Sequence, residues 1–94
     1  MRFFADELLT VNTDAVSLTP AKLDNVGGAR ATRAIIQVRG AGIIYAFMRE
    51  PDATHSLQCG PGGQIEISDY DNLATVQFRC LTGGPATLYV TYGN

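Results

Sequence analysis

The sequence predicts an all-β domain, a small antiparallel β-sandwich or barrel of about six to seven short strands. Three observations carry that expectation. Apolar and polar residues alternate with period two in several segments, as along a pleated strand with one buried face. Turn residues separate those segments at intervals of roughly 8–12 residues, the spacing of a sandwich or barrel. No helical period lasts beyond one or two turns.

The elements follow in order. Residues 15–19 (AVSLT) read as a short strand stopped by Pro20, which lacks a backbone donor and suits an edge or an exit. Residues 21–32 read as a loop, with Asp24-Asn25 and Gly27-Gly28 at its centre. Residues 33–39 (RAIIQVR) are a strand with Ala34, Ile36 and Val38 on one face and Ile35, Gln37 and Arg39 on the other. Residues 40–42 (GAG) predict a tight, hairpin-type connection. Residues 43–49 (IIYAFMR) are apolar on both faces, which predicts a central strand.

Residues 50–63 are the longest irregular stretch, where Pro51, Pro61 and the glycines exclude a helix. Residues 64–68 (QIEIS) alternate, with Ile65 and Ile67 inward. Residues 69–72 (DYDN) predict a turn. Residues 74–81 (ATVQFRCL) alternate again, with Ala74, Val76, Phe78 and Cys80 inward. Gly83, Gly84 and Pro85 interrupt the chain, and residues 86–92 (ATLYVTY) close it. Residues 8–11 are a candidate seventh strand.

At 94 residues, the length fits one domain. The expected division is an arm or edge strand over residues 1–12 and a β-sandwich over 13–94. Phe3, Phe4, Leu8, Leu9 and Val11 make the first segment an apolar patch. It either folds onto its own core or packs on a neighbouring subunit, because an exposed Phe pair costs solubility.

Composition narrows the function classes. The chain is 46% hydrophobic and 17% charged, too apolar for disorder. Its formal net charge is −2, without the basic footprint that nucleic-acid binding requires. A second possibility for nucleic acid, a surface of Arg30, Arg33, Arg39 and Arg49 with Tyr45 and Phe47, is disfavoured because both aromatics fall on an apolar face. No apolar run nears the ~20 residues that span a bilayer. Asp6 and Glu7 interrupt the start, so no secretory core is expected, and the chain is expected to fold in the cytoplasm of the cell that makes it.

Candidate chemistry is sparse. His55 is the one histidine, with Ser56 beside it and Cys59 four residues on. A nucleophile–histidine pair also needs a third orienting group and an oxyanion site, and a Gly/Pro-rich loop spacing does not supply them. His55, Cys59 and Cys80 make three zinc ligands at most, without a CxxC. Asp69-Tyr70-Asp71-Asn72 opens like a calcium loop, but Ala74 and Cys80 stand where the loop needs Gly and Glu. Gly60-Pro61-Gly62-Gly63 leads into a strand, which is no phosphate loop. The chain is therefore expected to be no enzyme, with no metal or cofactor. Cys59 and Cys80 are expected to be thiols packed as small hydrophobes.

Charge is unevenly distributed. Residues 22–49 carry a net +4 and residues 50–94 a net −4. Such a chain can pair with copies of itself and close into a ring such as a trimer, or both regions can neutralise each other within one fold. Candidate subunit contacts are Arg2, Phe3, Phe4, Leu8, Arg30, Arg33, Glu50, Asp52, Asp69 and Asp71.

The order of AVSLTP (15–20), RATRAIIQV (30–38), THSL (54–57), QIEIS (64–68), VQFR (76–79) and ATLYVTYG (86–93) resembles small structural proteins of tailed phages, among them capsid decoration or cement proteins. The resemblance spans most of residues 15–93 and excludes the first twelve. It implies a β-sandwich on a virion head, collar, tail or fibre, with no enzymatic residues carried over. The function it implies is a homo-oligomeric, trimeric cement protein on the capsid surface that binds the major capsid protein or other virion proteins. A tail, collar or fibre component and a small receptor- or carbohydrate-binding module are the alternatives.

Overall fold

The computed structural model describes residues 2–24, 30–80 and 83–94. Eight strands form two four-stranded antiparallel sheets. The strands are β1 (Phe3–Val11), β2 (Val16–Ser17), β3 (Arg33–Arg39), β4 (Ile43–Phe47), β5 (Leu57–Cys59), β6 (Gln64–Ser68), β7 (Val76–Arg79) and β8 (Ala86–Gly93). The first sheet runs β1-β8-β3-β6 and the second β2-β7-β4-β5. The pairings are nested: β1 with β8, β2 with β7, β3 with β6, and β4 with β5. The chain is thus one long hairpin rolled over itself, which is the topology of the jelly roll, a double-sheet sandwich that leaves no long open barrel.

The alternating segments become strands because alternation fits a sheet with one wet face. Ala34, Ile36 and Val38 of β3, Ile65 and Ile67 of β6, and Leu88, Val90 and Tyr92 of β8 turn inward and are buried. Val76, Phe78 and Cys80 meet them from the second sheet's side. β4 lies between β7 and β5 as expected of a strand apolar on both faces.

Several local expectations are corrected. Residues 40–42 do not make a hairpin, because β3 and β4 belong to different sheets. Gly40, at φ +88°, turns the chain from one sheet to the other, with the Pro85 carbonyl 3.2 Å from where a Cβ would sit. Residues 69–72 are not a simple turn: Tyr70–Thr75 form helix α2, which displaces the start of the strand to Val76 and leaves Ala74 exposed. Pro20–Leu23 form a one-turn helix, α1, inside the segment read as a loop. Residues 57–59, inside the irregular stretch, add strand β5. The Gly27-Gly28 turn and Leu81 lie outside the described residues.

Each helix has one buried plug, Leu23 in α1 and Leu73 in α2. Both helices sit in connections at the same end of the sandwich, where they touch each other. A single buried leucine in four to six residues is too short to produce a helical period.

Residues 3–11 form the full edge strand β1, laid against β8 of the same chain. A register shift between Phe3 and Ala5 marks a bulge. The two termini meet beside it, where the Arg2 and Asn94 backbones exchange hydrogen bonds of 2.9 and 3.0 Å.

Candidate interaction surface

The nested topology decides which surfaces remain open. On β4, Ile44 and Ala46 point away from the core yet are 4% and 7% exposed. The connection from Met48 to Ser56 is tied to this sheet at Glu50. Arg79 of β7 reaches Glu50 at 3.4 Å, and Pro51 beside it is fully buried. The second sheet is therefore covered in part by its own loop, while Ser17 and Gln58 of the same face stay exposed and a hollow of about 360 Å³ opens between Ala46, Phe47, Arg49 and His55. The Arg79 Nε is buried there without a partner.

The outer face of the first sheet has no such cover. Its cross-strand rows follow from the register: Thr10, Thr87 and Arg39; then Leu8, Tyr89, Gln37 and Gln64; then Asp6, Thr91, Ile35 and Glu66. Leu8 is 66% exposed and Tyr89 36%. Polar groups bracket this apolar strip. The Tyr89 hydroxyl donates to Asp6 at 2.9 Å, Arg39 stands 6.0 Å over the Tyr89 ring and also donates to Gln37 at 2.7 Å, and Arg33 pairs with Glu66 at 3.2 Å. An apolar centre with a polar rim is the usual anatomy of a protein contact.

The residues singled out from sequence fall into separate groups. Arg2 precedes β1, and Phe3, Phe4 and Leu8 lie along it. Phe3 and Leu8 are exposed on it, whereas Phe4 packs against the core. A hollow of about 330 Å³ lies beside the bulge, between Phe3, Phe4, Ala5, Asp6 and Thr91. Arg30 lies in a different cluster, 3.5 Å from Asp24 and 4.2 Å over the ring of Tyr70, whose hydroxyl donates to Asp24. Asp69 and Asp71 begin α2. Asp52 caps its own loop, accepting the backbone N–H groups of Thr54 and His55 at 2.8 and 2.6 Å, and these bonds hold its carboxyl well below the usual range.

Among the described residues, three arginine–carboxylate pairs close inside the fold: Arg30–Asp24, Arg33–Glu66 and Arg79–Glu50. Only Arg33–Glu66 joins the basic region to the acidic one. All three are partly solvated, so each contributes little to stability. They nonetheless occupy charges that a ring contact would use.

The sites considered for catalysis and metal have their own geometry. The His55 Nδ1 faces Thr54 Oγ1 at 3.0 Å and Asp52 at 3.3 Å. Both cysteines are free thiols. Burial pushes the Cys59 thiol up, toward its protonated, weakly nucleophilic form. Among the described residues no three His, Cys, Asp or Glu side chains converge. No helix among them is long and apolar enough to cross a membrane.

Sequence reasoning placed Arg39 on an outward strand face but missed the contribution of Tyr89 and Ile35 to the open face. Their outward phase on β3 and β8 was readable, but which sheet would stay uncovered was not. Comparison with protein-family models, with curated proteins and with solved structures returned no match.

Proposed function

We propose that this protein is a virion structural subunit of the capsid decoration or cement type, seated on a shell through the outer face of its first sheet. The observation that carries the reading is the contrast between the two sheets. One buries Ile44 and Ala46 and is tied to its own loop by Arg79–Glu50, and the other leaves Leu8 and Tyr89 exposed, with half-buried Ile35, between charged residues. Rolled double sheets of this kind serve in viral capsid and lectin domains. The resemblance of its sequence segments to small tailed-phage structural proteins favours the first of those uses. The contact would be with a major capsid protein or another virion protein. Many weak copies held in a lattice attach strongly through effective concentration.

The test is co-sedimentation. A tagged chain produced in infected host cells is expected to band with virus particles in a density gradient. Ile35→Asp should release it while its far-UV circular dichroism stays that of the parent. Recovery of the parent chain only in the soluble fraction would overturn the reading. Binding to a glycan array would support a carbohydrate-binding module instead.

A further inference from the structure

The four sheet edges differ in length and protection. β2 has two residues and β5 three. β6 has five, with Gln64, Glu66 and Ser68 outward. β1 has nine, and its ladder partner is β8 alone. Long edges usually carry Lys, Pro or a bulge that discourages pairing with another chain. β1 contains neither Lys nor Pro, and its bulge is confined to Phe3–Ala5.

Its two carboxylates are already engaged within the chain. Asp6 accepts from Tyr89 at 2.9 Å. Glu7 points inward and accepts from Tyr92 and from Thr19. What remains beyond the bulge is a strand without Lys or Pro, its inward charge Glu7 already bonded within the chain and Leu8 exposed at its middle.

We propose that a second copy of this chain pairs along β1, antiparallel, about a two-fold axis through Leu8. The first sheets of the two copies, β1-β8-β3-β6 in each, then continue into one. The register follows from symmetry and charge. Residues opposite each other must share a face of the joined sheet, so the axis passes through a residue position. An axis at Asp6 or Glu7 sets a carboxylate against its own copy, which is destabilising. An axis at Leu9 shortens the ladder to residues 8–10, because Val11 is fully buried. At Leu8, Leu8 meets Leu8, Asp6 faces Thr10 and Glu7 faces Leu9; the ladder runs from Asp6 to Thr10, short of the buried Val11. No like charges oppose one another. Tyr89 lies next to Leu8 on β8 and widens the apolar strip across the join. The contact is isologous, so it gives pairs in place of the ring that the charge split leads one to expect. It also doubles the open face of the preceding section.

Sedimentation velocity on the full chain, from micromolar to millimolar, tests the pairing. The parent is expected to form dimers. Leu8→Lys, at an exposed site, should raise the dimer dissociation constant at least about tenfold with unchanged circular dichroism. Thr10→Lys, which faces Asp6 of the partner, should leave dimerisation intact or tighten it. In a Cys59→Ser background, Leu8→Cys should cross-link on mild oxidation and Thr10→Cys should not. A parent that stays monomeric at millimolar concentration overturns the proposal, as does a dimer that Leu8→Lys leaves unaltered. A monomer that still bands with particles would overturn the pairing and spare the proposed function. A dimer that bands with none would do the reverse.

Discussion

Glu7 is an acidic residue on the inward face of an edge strand, where alternation would place an apolar side chain. It faces Tyr92, whose hydroxyl donates to one carboxylate oxygen, and Thr19, whose hydroxyl donates to the other at 2.6 Å. Thr19 follows β2 of the second sheet, so Glu7 stitches one sheet to the chain leaving the other. Glu7→Ala strands the Tyr92 hydroxyl and is expected to cost about 1–3 kcal/mol in chemical denaturation. Glu7→Gln keeps an acceptor and should cost less. Tyr92 itself is neutral well above the usual tyrosine range, first because it is buried and then because it donates to Glu7. Its folded value is raised, so this contribution is complete below the unfolded value near 10 and falls as pH rises beyond it. Stability measured across alkaline pH should therefore decline above about pH 10, and Tyr92→Phe should flatten that decline.

At the scale of elements, connections decide more than strands. β5 and β6 are joined by residues 60–63, and the strands reach different sheets. A Cβ on Gly63 would stand 2.6 Å from the Cys59 Sγ and 3.0 Å from the Gly60 carbonyl. Gly63→Ala is expected to destabilise by about 1–3 kcal/mol, as overpacked sites do. Adding Cys59→Ala removes the sulfur and should restore part of that loss, a coupling that a double-mutant cycle reads directly. The glycines at 40, 62, 83 and 84 all take positive φ at the same end of the sandwich. Chain reversals between two sheets need that freedom, and residues with a Cβ resist it. Edge management follows the same division: three edges are short or polar, and the long one is β1.

Across the whole molecule, one core joins the two sheets. Phe78 is fully buried at its centre side by side with Tyr45, ring centroids 6.1 Å apart. Phe78→Ala is expected to cost about 3–5 kcal/mol. Domains of this size hold only about 5–15 kcal/mol in total, so the variant should melt far earlier or fail to fold. Nested pairing also makes most contacts distant in sequence, since β1 meets β8 and β2 meets β7. Such topologies close large loops before contacts reward them, which predicts slow folding for the length. The partial cover of one outer face by the connection that holds Glu50 and Pro51, and the greater exposure of the other, are properties of this whole arrangement.

What the sequence determined by itself was the pleat. β3 and β6 have the ends expected from alternation, and the inward residues Ala34, Ile36, Val38, Ile65 and Ile67 are buried. That is legible because a period of two is a local property, set by which side of a strand each residue occupies. The two plugs, Leu23 and Leu73, were not legible, since a single leucine in a short turn has no period. Nor was the sheet to which each strand belongs, because the glycine connections around residues 40 and 60 allow either a hairpin or a crossing. Tertiary structure alone chose the crossing, and with it the long β1 edge and the uncovered face. The reason is that the core is buried only when both sheets close over it together.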